Sequence, residues 1–437
     1  MTITSTDTER DARDRDAADP LSSLRTRFAI PPADGGDNDE SAYLAGNSLG
    51  LLSVDVRAII DEELSAWSRW GVEGHSDAPR PWVRYHEHLR EASARLVGAL
   101  PHEVVVMNSL TVNLHLMLVS FYRPAGDRTA IVIEDSAFPS DSYAARSQAA
   151  LHGLDPDAAV IRLRPRDGED VLRTEDIEQF LRDEGHRVAV MMLGGVNYYT
   201  GEVVDIARVT AAGHAAGAIV GWDLAHAAGN IPLQLHEWGV DWAAWCTYKY
   251  MNAGPGAVAG CFVHERHVAD RTIPRFEGWW SSNVETRFQM GPTVDPVASA
   301  DAWQLSNPPI LAMAPVLASL RMFDSVGITA LRERSLRLSE YLMDQLDTVL
   351  QGRASHIITP REQERHGSQV SVRLGADAAD VTNKLRWEHG VIGDARMPDV
   401  IRLAPVPLYN SFHDCWRAAR ALGSVLDELG DTQQGAS

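Results

Sequence analysis

The chain has 437 residues, 45% of them hydrophobic, and a formal net charge of −20. That length exceeds one compact core, so two domains are expected, and an acidic balance unbroken by any Lys/Arg cluster argues against nucleic acid or anionic membrane as partners. The three cysteines, Cys246, Cys261 and Cys415, show no metal or redox spacing, and no apolar run is long enough to span a bilayer, so a reduced, cytoplasmic setting is expected.

The first twenty residues alternate Asp, Glu, Arg, Ser and Thr without an apolar core. Residues 1–40 therefore read as a disordered or extended tail rather than a signal peptide. From Val104 onward short apolar runs alternate with amphipathic stretches. The strand candidates are Val104–Met107, Ala130–Glu134, Ala159–Leu163, Val188–Leu193, Ile219–Trp222, Trp242–Cys246 and Ala257–Val263. Their near-continuous hydrophobicity suits strands covered on both faces. Helical patterns at 111–122, 141–151, 174–184 and 205–216 separate most of them. Such alternation predicts a mostly parallel, seven-stranded sheet with helices on both sides.

Ser306-Asn307-Pro308-Pro309 then breaks the pattern, because consecutive prolines oppose helix until they are passed. A leucine-rich helix is expected over 328–350, followed by strands at 355–358, 369–374 and 400–403 and helices near 377–388 and 412–429. That order describes a smaller α+β domain over 316–437, beside a large domain over 41–315 whose first part packs with the small one.

Two positions carry chemistry. Lys249 follows the apolar run 240–245 and precedes the glycine-rich Asn252-Ala253-Gly254-Pro255-Gly256, while Asp223 ends another apolar run 26 residues earlier. That spacing is about one helix-plus-strand unit, so the two stand at neighbouring strand ends. Such a pair suits pyridoxal 5′-phosphate: the lysine amine forms a Schiff base with the aldehyde, and the carboxylate keeps the pyridine nitrogen protonated.

The words around this pair resemble kynureninase. They are Tyr43-Leu44-Ala45-Gly46-Asn47-Ser48-Leu49-Gly50, Gly74-His75 with Arg80-Pro81-Trp82, Met107-Asn108-Ser109-Leu110-Thr111, Phe138-Pro139-Ser140-Asp141, Tyr199-Thr200-Gly201, Asp223-Leu224-Ala225-His226, Tyr248-Lys249-Tyr250, Ser306-Asn307-Pro308-Pro309, and Arg402 through Phe412. The resemblance implies a PLP-dependent transferase fold of type I, similar to class V aminotransferases, and hydrolytic Cβ–Cγ cleavage of L-kynurenine or its 3-hydroxy form.

It also implies roles for named residues. Lys249 carries the cofactor and moves protons, with Tyr248 as a candidate group for water activation. Asp223 faces the ring nitrogen and His226 lies in the same pocket. Leu110 and Thr111 offer amides at a helix N-terminus to the phosphate, which Tyr248 also reaches. Phe138 stacks on the ring, with Pro139, Ser140 and Asp141 closing that side. Trp279 and Asn307 reach the phosphate of a neighbouring subunit, making a homodimer with shared sites. Arg402 grips the substrate carboxylate, and His75, Ser306 and Asn307 meet its aromatic ring. Gly194 stands where relatives can carry a serine. The competing readings are a cysteine desulfurase-type lyase, which needs a nucleophilic cysteine that Cys415 is poorly placed to supply, and a catalytically silent PLP-binding protein.

Overall fold

All seven apolar runs become strands of one sheet: β1 (Val104–Val106), β2 (Ala130–Glu134), β3 (Val160–Leu163), β4 (Val188–Gly194), β5 (Ile219–Asp223), β6 (Trp242–Trp245) and β7 (Gly260–Val263). The structure is a computed structural model and describes residues 8–431. The spatial order is β1-β7-β6-β5-β4-β2-β3. Every pair from β6 to β3 is parallel, and β7 alone runs antiparallel to its neighbours β6 and β1. The strands read as unbroken apolar runs because helices cover both faces; β1, β2, β6 and β7 are buried at every residue. Two glycines let large indoles lie flat on the sheet. A Cβ at Gly221 would stand 2.0 Å from the Trp242 ring, and one at Gly260 would stand 2.2 Å from Trp245.

The parallel strands β2, β4, β5 and β6 carry their C-terminal ends, Glu134, Gly194, Asp223 and Trp245, to the same edge of the sheet. In open α/β sheets that edge is where ligands bind. The helices Leu110–Phe121, Pro139–Leu151 and Ile206–Ala215 follow β1, β2 and β4, and Thr174–Glu184 lies between β3 and β4.

The chain divides into two compact units. One holds 56–198 and 204–325, with the sheet just described; the other holds residues up to Asp55, Tyr199–Val203 and everything from Val326. The expected boundary at 315/316 thus moves to 325/326. Pro308 and Pro309 do not separate domains; they lead into the helix Ile310–Val326, which contains Pro315. The second unit has an antiparallel sheet of β8 (His356–Ile357), β9 (Val370–Arg373), β10 (Asp394–Arg396) and β11 (Val400–Leu403) in the order β10-β11-β9-β8. The helices Ile328–Leu350, Ala378–His389 and Phe412–Leu429 belong to this unit.

The expected tail over 1–40 needs correction. Residues 1–7 lie outside the described residues, but Glu9–Ala18 is a helix, with Thr8 accepting from the Asp11 amide as its N-cap. Ala12 is fully buried in the core of the second unit. The Asp16 carboxylate accepts from the Phe412 and His413 amides at 2.7 and 3.1 Å, so it caps the last helix.

Candidate active site

The ends of β5 and β6 fix the two key side chains. The Asp223 carbonyl accepts from the Gly195 amide at 2.9 Å, and the Leu224 amide donates to the Ala244 carbonyl at 2.8 Å, which carries the ladder one residue past the strands. After β6 the chain turns sharply through Asn252, whose φ is +57°, a left-handed position that asparagine tolerates. The Asn252 amide donates to the Lys249 carbonyl at 2.9 Å, the Ala253 amide to the Thr247 carbonyl at 3.0 Å, and the Thr247 hydroxyl to the Val258 carbonyl at 2.8 Å. Lys249 is therefore held on a closed turn with its amine directed inward. Its Nζ lies 3.0 Å from His226 Nε2 and 5.8 Å from the centre of the Phe138 ring.

These groups line a cavity of about 180 Å³ together with Leu110, Thr111, Ser140, Asp141 and Tyr248. At one side the helix Leu110–Phe121 begins after Asn108, another left-handed residue at φ +52°. Its N-cap, Ser109, makes no side-chain hydrogen bond to the first amides. Those orphan N–H groups and the positive end of the helix dipole favour an anion there.

The same cavity is rich in carboxyl groups. Asp141 and Asp223 are both buried and hydrogen-bonded to one another. Burial pushes the Asp141 carboxyl well above the usual range, and the neighbouring Asp223 charge pushes it further. Burial also raises Asp223, but the Ala225 amide, at 2.7 Å, and the Lys249 amine favour its ionised form. Burial and the neighbouring charge thus favour the neutral form most at Asp141, while the partners of Asp223 favour its charge. Burial, reinforced by Cys246, keeps the Tyr248 phenol protonated. A third carboxylate, Glu134 at the end of β2, accepts from Asn197 Nδ2 at 3.0 Å.

Nine expected residues meet here: Leu110, Thr111, Phe138, Ser140, Asp141, Asp223, His226, Tyr248 and Lys249. Pro139 does not line the cavity; it is the first residue of the helix behind Phe138, where its fixed φ is suited to starting a helix. His75, Ser306 and Asn307 are exposed, and Trp279, also exposed, donates its indole N–H to the Arg287 carbonyl. None of the four lines the cavity. Arg402 belongs to the other unit, fully buried in β11 and 2.8 Å from Asp394. Gly194, the position where relatives can carry a serine, also lines the cavity, and the lining residues that sequence reasoning did not single out are Ser109, Glu134, Val196, Tyr198 and Ala225. Glu134 carries the signal that exposed Asp223, an acidic residue closing an apolar run at a parallel strand's C-terminal end.

Comparison with known proteins decides among the enzymes such a site can serve. A kynureninase from Salinispora tropica is 62% identical over 420 residues, covering 96% of this chain and 97% of its own length. One from Koribacter versatilis is 54% identical over 410 residues. The model of the kynureninase C-terminal domain matches residues 331–422. The chain belongs to the kynureninase family. Among solved structures, a cysteine desulfurase from Escherichia coli matches with a TM-score of 0.75 at 17% identity, covering 94% of this chain and 99% of its own. A cystine C–S lyase bound to cysteine persulfide matches with a TM-score of 0.73 at 18% identity, covering 90% and 98%. These likenesses establish the fold of PLP-dependent enzymes. The donor set fits that cofactor: an amine for its aldehyde, a carboxylate for its ring nitrogen, an aromatic face, and an uncapped helix end for its phosphate.

Proposed function

We propose that this chain hydrolyses the Cβ–Cγ bond of L-kynurenine, 3-hydroxy-L-kynurenine or a ring-substituted analogue, releasing anthranilate or its 3-hydroxy form and L-alanine. The observation that carries this reading is the lysine amine set 3.0 Å from His226, in one cavity with the Asp141–Asp223 pair and the helix end at Leu110 and Thr111, in a chain that is 62% identical to a kynureninase.

When bound, pyridoxal phosphate supplies an electron sink that lowers the cost of negative charge on the substrate carbons. The protein's part is to hold and move protons around that sink. Asp223, whose charge is favoured by the Ala225 amide and the Lys249 amine, would hold the proton on the ring nitrogen. Phe138 would pack on the ring face, and the Leu110 and Thr111 amides would hold the phosphate. Lys249 takes the α-proton of the substrate and returns it, and His226 hydrogen-bonds the amine between those transfers. Tyr248, protonated and half-buried, is the group assigned to deliver a proton as water adds to the carbonyl attached to the aromatic ring. Arg402 grips the α-carboxylate through its planar fork of donors.

The same reading makes the enzyme a homodimer in which Trp279 and Asn307 reach the partner's phosphate, and His75, Ser306 and Asn307 meet the substrate ring. Their exposure supports it. So does an apolar groove of about 440 Å³ lined by Trp67, Trp82, Ile310 and Leu311, a surface suited to a partner copy. The reaction belongs to tryptophan catabolism, feeding NAD biosynthesis or a secondary-metabolite route, in the cytoplasm. Among the described residues no single helix is long and apolar enough to cross a membrane.

The test is kcat/KM of the cofactor-loaded protein for kynurenine and 3-hydroxykynurenine, followed by fluorescence of the aromatic product. Turnover that vanishes with Lys249→Ala is expected; a yellow, cofactor-loaded protein that cleaves neither substrate would refute the reading. Mixing Lys249→Ala with Trp279→Ala subunits should restore activity that neither has alone if the sites are shared.

A further inference from the structure

Arg402 stands fully buried in β11, and directly across from it on β10 is Asp394; their Cα atoms are register partners. Asp394 Oδ2 lies 2.8 Å from Arg402 Nη2, and Oδ1 lies 2.7 Å from Arg396 Nη1. The Asp394 side chain is only 10% exposed. β10 is three residues long and reads Asp-Ala-Arg, which no strand pattern predicts.

A carboxylate here is a poor way to gain stability. Withdrawing two charges from water costs several kcal/mol per ion, and a packed apolar pair often does as well. What a carboxylate adds is direction. A guanidinium is rigid and planar, so an ion pair to one of its nitrogens restricts the orientations open to the whole group. Asp394 is placed by its strand, in register with Arg402, and its Oδ2 also accepts from Arg396 Nη2 at 3.4 Å.

We propose that Asp394 is a positioning residue for substrate binding: it sets the guanidinium plane of Arg402 so that the fork meets the α-carboxylate of the amino acid. This rests on the reading of Arg402 given above. Asp394 touches neither substrate nor cofactor and acts only through the arginine. Its negative charge opposes a second carboxylate nearby, so orientation and repulsion make opposite predictions for its removal.

The experiment is steady-state kinetics on the full, cofactor-loaded chain carrying Asp394→Asn, which keeps the shape and loses the charge. Orientation predicts that KM rises about tenfold or more, the loss of one charge-assisted contact, while kcat changes much less. Binding of L-alanine, which retains the α-carboxylate, should weaken by the same factor. The cofactor absorption band should stay as in the parent, the melting temperature should fall because buried Arg402 loses its counter-charge, and Asp394→Glu should recover part of the affinity. Arg396→Gln, which removes only the other partner, should move KM much less than Asp394→Asn. In Arg402→Lys the further change Asp394→Asn should add nothing, because its route is gone. A KM that is unchanged or falls in Asp394→Asn, while Arg402→Ala raises it, overturns this inference alone. A KM unchanged in Arg402→Ala overturns the reading of Arg402 and this inference with it.

Discussion

The preference for a neutral Asp141 beside a charged Asp223 has a measurable consequence. If Asp141 is the protonated partner, Asp141→Asn changes no charge and keeps an N–H donor where the O–H was. Its cost to cofactor binding should stay below about 1 kcal/mol, or roughly fivefold in Kd. Asp141→Ala removes the donor and leaves a buried, ionised Asp223 with one partner fewer. Hydrogen bonds to charged groups are worth about 1.5–3 kcal/mol, so affinity should fall roughly ten- to 150-fold. The pH dependence of stability follows with its sign. Burial, then the Asp223 charge, raise the folded pKa of Asp141 above the ordinary 3.8. The folded chain then keeps a proton that the unfolded chain releases, and stability falls as pH rises from 3.8 towards the folded value. Asp141→Asn should flatten that slope. Titrating apoprotein with pyridoxal phosphate by fluorescence quenching, with urea melts across pH, reads both effects. Equal losses in the Asn and Ala variants, or an unchanged slope in Asp141→Asn, would refute that preference.

Three further outcomes follow from the same unit. Asp241 is buried, and although burial alone would raise it, hydrogen bonds from His214, His267 and the Val220 amide and the Arg266 charge hold it far below 3.8; Asp241→Ala should cost about 3–5 kcal/mol in urea melts at neutral pH, and the gap from the parent should shrink as pH falls below 3.8, where that contribution is lost. Gly221→Ala places a methyl 2.0 Å from the Trp242 ring, so a loss of about 1–3 kcal/mol is expected; an unchanged melting temperature would mean that the indole can shift. Gly194→Ser puts a Cβ 3.0 Å from Glu134 Oε1, so the hydroxyl can donate to that carboxylate after a small shift; a folded protein with cofactor affinity within about threefold of the parent is expected, and loss of the cofactor would show that the room at Gly194 is required.

The strands were legible because a parallel strand covered on both faces is apolar at every position, and that pattern survives without knowledge of its neighbours. The helices Ile328–Leu350 and Phe412–Leu429 were legible to the residue, the first from its leucine spacing. Glu9–Ala18 was not. Its ten residues hold seven charges, and it docks by polar contacts, Asp16 capping a helix almost 400 residues away and Asp19 pairing with Arg334 and Arg337. Nothing local encodes a partner that distant. The same blindness hid β10, whose Asp394 is explained only by an arginine on the next strand. At the site, Lys249 and Asp223 stood out because their chemistry is paired at a recognisable spacing. Glu134 has no such partner in sequence; only the sheet order, which places β2 beside β4, brings it to Asn197.

Solved structures that share this fold include cysteine desulfurases and a C–S lyase, so the sheet and the lysine cannot by themselves choose the bond that breaks. A desulfurase must bring a thiolate to its substrate. This chain has three thiols and all are buried. Cys246 Sγ lies 3.9 Å from the Ala225 carbonyl, and Cys261 sits inside β7. Cys415, in the Phe412–Leu429 helix, points at the Leu338 carbonyl at 3.7 Å, and burial pushes its thiol well above the usual value, away from the reactive anion. The cavity holds carboxyl groups and no thiol: Asp141, Glu134 and Asp223 line it with Lys249. That set moves protons and offers no sulphur nucleophile, which agrees with hydrolysis of a carbon–carbon bond by water and not with transfer of sulphur.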